Sequence, residues 1–97
     1  MARVTIGQLE QLIGVLNRRA GTPLAPYIRD EAGRLVGQAG NYHLSGAYGG
    51  WRVEQMYNEG GGITCPMGQG YVSKAELETI IRAYLNGLEA GLQAKAS

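Results

Sequence analysis

The chain has 97 residues, which makes one domain with a modest core and leaves no room for a second. Its 44% apolar and 18% charged content excludes a disordered composition, and nine basic against eight acidic side chains leave a formal charge of +1, without the basic excess of a nucleic-acid-coating protein. A single cysteine excludes an internal disulfide framework, no apolar run approaches the ~18 residues of a membrane span, and MARVTIGQLEQL has no hydrophobic signal core, so a cytoplasmic protein is expected.

The first predicted element is a helix over about 5–20. Thr5 with Gln8 three residues on fits a capping box, and Val4 with Leu9 fits a hydrophobic staple. Leu9, Leu12, Ile13 and Leu16 form one apolar stripe. Arg18 and Arg19 suit the C-terminal dipole, and Gly21 and Pro23 stop the helix. Residues 22–39 read as an ordered loop or a small hairpin turning at Asp30-Glu31-Ala32-Gly33.

The sheet is predicted over about 41–65. NYHLSGAY, GG and WRVEQMYN read as a β-hairpin with Gly49-Gly50 as its two-residue turn. That turn opposes Tyr48 to Trp51, Gly46 to Val53, Leu44 to Gln55 and Tyr42 to Tyr57 on the face toward the helices. The outer face then carries Ala47 with Arg52, Ser45 with Glu54, His43 with Met56 and Asn41 with Asn58, polar and wet. Gly60–Gly62 turn into a short third strand, Ile63-Thr64-Cys65, with Pro66 at its end. Met67 to Gly70 lead into a second helix over about 73–90. Ser73 and Glu76 cap it, and Leu77, Ile80, Ile81, Tyr84, Leu85 and Leu88 form its stripe. Gly87 and Gly91 weaken its last turns, and a frayed tail is expected over 92–97. The expected fold is α+β: a two-layer α-β-β-β-α domain with an antiparallel three-stranded sheet and two helices packed on one face.

GNYHLSGAYGGWRVEQMYNEGGGI, the later GYVSKAELETIIRAYLNGL and the upstream LNRRAGTPLAPYIRDEAGRLV resemble small uncharacterised proteins encoded by tailed bacteriophages and prophages. The resemblance implies a phage or prophage context in a bacterial or infected host cell, and it transfers no catalytic residue. A looser similarity is to double-stranded-RNA-binding domains, which share the α-β-β-β-α order and a glycine-rich approach to the last helix, here GQGYVSKAEL. Those domains cluster lysines at that helix start. Here Lys74 stands alone, followed by Glu76 and Glu78.

Three constellations carry chemistry. His43, Ser45 and Glu54 share the outer sheet face and contain the types of a base-activated nucleophile, on a surface expected to be flat and solvated. Lys74 and the capped helix start behind Gly68 and Gly70 could hold an anion, although the stretch lacks the GxxxxGK[ST] pattern. Cys65 and His43 are too few for a usual zinc site, so no metal or cofactor is expected. Phenylalanine is absent, and six tyrosines with Trp51 supply rings for the core edge or for a partner. The leading reading is a non-enzymatic protein that acts by protein–protein binding, with Asn41, His43, Arg52, Glu54 and Lys74 as its candidate binding residues. A nucleic-acid-binding module is the alternative, which the near-neutral charge disfavours, and a hydrolase on the polar face is the third. No membrane contact is expected. The open edges of a three-stranded sheet make a homodimer an expectation as well.

Overall fold

The structure is a computed structural model that describes residues 3–96, leaving out the side chains of 95 and 96. Its elements run α1 (Ile6–Ala20), β1 (Tyr27–Arg29), β2 (Leu35–Gly37), β3 (Tyr42–Ala47), β4 (Gly50–Met56), β5 (Ile63–Thr64) and α2 (Lys74–Ala96). The fold is α+β. An antiparallel sheet of order β3-β4-β5 carries both helices on one face, and β1 pairs with β2 in a separate small hairpin. The shortest dimension of 21 Å suits two layers about 10 Å apart.

Local chemistry starts both helices. Thr5 Oγ1 accepts from Gln8 N while Gln8 Oε1 accepts from Thr5 N, closing the capping box, and Gly21 ends α1 in the left-handed region. Ser73 Oγ accepts from Glu76 N at the head of α2. The two helices run in the same direction. Their caps line one cleft, and Arg19 near the end of α1 meets Glu89 of α2 at 2.6 Å. Leu9, Ile13 and Leu16 from α1, Tyr42 and Val53 from the sheet, and Leu77 and Ile81 from α2 form the buried core. α2 runs on to Ala96, past the expected end near residue 90.

The 22–39 segment takes the hairpin form. Asp30 Oδ1 accepts from the Ala32 and Arg34 amides, which holds the turn between β1 and β2. Two three-residue strands are marginal by themselves. The Gln38 amide donates to the Pro26 carbonyl and closes the base of the hairpin, and the Gly37 amide donates to the Glu59 carbonyl and ties the hairpin to the body.

The β3–β4 register corrects the expected one. The turn is Tyr48-Gly49, both at positive φ, and Ala47 opposes Gly50. Gly50 belongs to β4 instead, because its bare Cα lets residues 71–72 approach. A Cβ there would stand 3.0 Å from the Tyr71 carbonyl carbon and 3.1 Å from the Val72 nitrogen. Trp51 and Val72 exchange both backbone hydrogen bonds at that contact. Every cross-strand partner therefore moves by two residues, so Leu44 opposes Val53 and His43 opposes Glu54. A two-residue shift preserves the faces, since side chains alternate with period two. Four residues still leave their expected surroundings, Asn41 among them, which is buried. Tyr48 is 95% exposed in the turn, and Tyr57 is exposed beyond the end of β4. Met56 is buried, because Gly37 of the first hairpin lies over its sulfur.

Candidate functional site

The outer face of β3 and β4 gathers four of the five candidate residues. The observed register sets His43 opposite Glu54 and Ser45 opposite Arg52. Arg52 donates through Nε and Nη2 to Glu54 Oε2 at 3.1 and 2.9 Å, and through Nη1 to the Gln69 carbonyl at 2.7 Å. Its guanidinium lies 4.4 Å from the centre of the Tyr71 ring, which in turn meets Tyr48 edge-on. His43 Nε2 is 3.3 Å from Glu54 Oε1, and His43 Nδ1 is 3.1 Å from Asn41 Oδ1.

This face is less wet than its composition implies. The side chains of His43, Arg52 and Glu54 are only 22%, 19% and 12% exposed. Burial alone would raise the Glu54 carboxyl pKa. Hydrogen bonds from Arg52 and Ser45 and the charges of Arg52 and His43 outweigh it, so the pKa is held below its ordinary 4.5. The Arg52 pKa is raised, first by its hydrogen bond to Glu54. Asn41 departs furthest from the wet position expected of it. It is fully buried, and its Nδ2 donates to the Pro23 carbonyl at 2.8 Å. That bond orients the amide oxygen toward His43.

The group is chemically closed. His43 Nδ1 is directed at Asn41 Oδ1 and Nε2 at Glu54 Oε1, so neither ring nitrogen is directed at Ser45. Lys74 lies apart from this group, exposed at the head of α2 in the cleft lined by Arg3, Thr5 and Ser73. Among the described residues no three His, Cys, Asp or Glu side chains come together as a metal site would require, and no helix is long and apolar enough to cross a membrane.

Two features escaped the sequence reading. The first is Asn17, buried on α1. Its Nδ2 donates to the Tyr42 carbonyl at 2.9 Å, and its Oδ1 accepts from the Tyr42 amide at 2.8 Å and from Thr22 Oγ1 at 2.8 Å. It thus stands in for a neighbouring strand at one position of the β3 edge. The signal was a polar residue four positions after Ile13, on the apolar stripe. The second feature is a cleft of about 350 Å³ beside that edge, lined by Ile13, Gly14 and Asn17 of α1, by Leu24, and by Tyr42 and Leu44 of β3. The hydroxyl of Tyr42, a residue that lines the cleft, meets the Tyr84 hydroxyl at 2.9 Å. Burial first, and that bond second, push the Tyr42 pKa up to about 12.

Apolar side chains also collect outside the core. Leu24, Tyr27, Ile28 and Leu35, on and beside the first hairpin, are 64%, 44%, 51% and 61% exposed. No protein-family model, curated protein or solved structure gives a significant match to this chain.

Proposed function

We propose that this chain is a small non-enzymatic binding protein that works through contacts with another protein, as an accessory factor of a phage or prophage. The supporting observation is the exposure of Leu24 and, on the first hairpin, of Tyr27 and Leu35 on one face and Ile28 on the other, on an element whose backbone bond to the body runs from Gly37 to Glu59. Large apolar side chains left exposed on both faces of one small element mark it as an interaction element. The closed polar network fits the same reading, since it leaves His43 and Glu54 engaged with each other and with Asn41 and Arg52. The resemblance to tailed-phage proteins in the AYGG, NEGGG and SKAEL stretches supports the biological setting.

Substitution on the hairpin tests the proposal. Ile28→Glu and Leu35→Glu leave the thermal midpoint unchanged and abolish co-purification of the partner from cells that produce the protein. Thr79→Glu, on the exposed face of α2, keeps it. Hairpin variants that retain the partner as well as the wild type does would refute the assignment.

A further inference from the structure

We propose that β3 is a docking edge to which an extended segment of the partner adds as a fourth strand, lying in the cleft beneath α1. This rests on the protein-binding reading and names the mode of contact.

The hydrogen-bond pattern identifies the open positions. The Met56 amide donates to the Asn41 carbonyl across the ladder, while Trp51 turns both its backbone groups away from β3 to Val72. Antiparallel pairs alternate between bonded and non-bonded positions, so His43 and Ser45 bond to β4 and Tyr42, Leu44 and Gly46 face outward. Asn17 satisfies the outward groups of Tyr42. Among the described residues, the amides and carbonyls of Leu44 and Gly46 have no partner. They are spaced as a strand addition requires, and Leu44 borders the cleft.

The occupant is an extended peptide and not a second copy of this chain. α1 overhangs the edge closely enough for Asn17 to reach both backbone groups of Tyr42. A second β3 pairing antiparallel would sit about 4.8 Å away with its own α1 on the same side of the sheet, whereas packed helices need about 8–10 Å between axes. A peptide without a helix fits. Its alternate side chains would point under α1 toward Ile13, Leu24 and Leu44, so they should be apolar. Glu10 also lines the cleft, is exposed, and has no ion pair among the described residues, so a lysine or arginine in the peptide complements it. Gly14 keeps the helix side open. A Cβ there would meet nothing closer than the Arg18 guanidinium at 3.6 Å, so neither close packing nor helix propensity calls for a glycine.

The test uses the full chain and short synthetic peptides with β-branched apolar residues at alternate positions and one lysine. Amide hydrogen exchange and NMR titration are followed. At saturation the Leu44 and Gly46 amides slow by about tenfold or more, peptides N-methylated at alternate amides fail to bind, Gly14→Leu blocks binding, and Glu10→Lys weakens it about tenfold, equivalent to ~1.4 kcal/mol. No titration at millimolar peptide, or binding that leaves Leu44 and Gly46 exchanging freely, overturns strand addition. If the natural partner still binds in a way that Ile28→Glu and Leu35→Glu abolish, only the mode of contact falls. If the hairpin variants have no effect either, the protein-binding reading falls with it.

Discussion

Asn17 takes a stripe position on α1 where leucine would be the simple choice, and its amide repays its burial with two backbone bonds to Tyr42. Removing one partner of a buried hydrogen bond leaves the other unsatisfied, at about 1–3 kcal/mol per group. Asn17→Ala is therefore expected to destabilise the fold by roughly 2–4 kcal/mol in urea unfolding, since both Tyr42 groups lose their partner. Asn17→Asp keeps an acceptor for the Tyr42 amide but sets a carboxylate against the Tyr42 carbonyl, so it should also destabilise. Glu54 gives a pH dependence of known sign. Its folded pKa lies below the ordinary 4.5, so its contribution is present above 4.5 and is lost as pH falls through the lower folded value. Glu54→Gln should flatten this acid limb of the urea midpoint against pH, and an unchanged limb would show that other carboxyls set it. Tyr42 acts at the opposite end of the scale. With its pKa raised from 10.0 to about 12, folding stability is full below 10 and declines as pH rises toward 12.

At the scale of elements, what could be read in advance was what neighbours in sequence decide. The capping box at Thr5, the N-cap bond of Ser73 and the stripes of α1 and α2 stand where their spacing placed them, because each depends on residues within one or two turns. The hairpin register could not be read that way. Two adjacent glycines favour a turn, but Gly50 is needed in the strand by the approach of Tyr71 and Val72, about twenty residues along the chain. Gly50→Ala should thus cost about 1–3 kcal/mol by overpacking, read as a lower thermal midpoint. The faces survived the error because the shift was two residues. His43, Arg52 and Glu54 were grouped correctly, but with the wrong partners and with too much water around them. Asn41 was misplaced because its bond to Pro23 depends on the path of the preceding loop. The open groups of β3 follow from strand order and hydrogen-bond phase, and neither is a property of any local stretch. In the free protein the Leu44 and Gly46 amides should exchange much faster than those of His43 and Ser45, and equal protection would show that the edge is already covered.

As a whole molecule, the chain is a thin two-layer slab whose polar sheet face is internally satisfied and whose first hairpin turns apolar side chains outward. A monomer gains nothing from exposing Leu24, Ile28 and Leu35, since each could bury apolar area at ~25 cal/mol per Å² against a partner. Near-neutral charge leaves little long-range steering, so association should depend only weakly on salt. Contact through the hairpin is the central claim, and photo-crosslinking in the producing cell tests it most directly. A photoreactive residue at position 28 or 35 should give a discrete adduct with one partner protein, and the same residue at position 79 should give none. Equal labelling at all three positions, or no adduct from the hairpin, would contradict the claim.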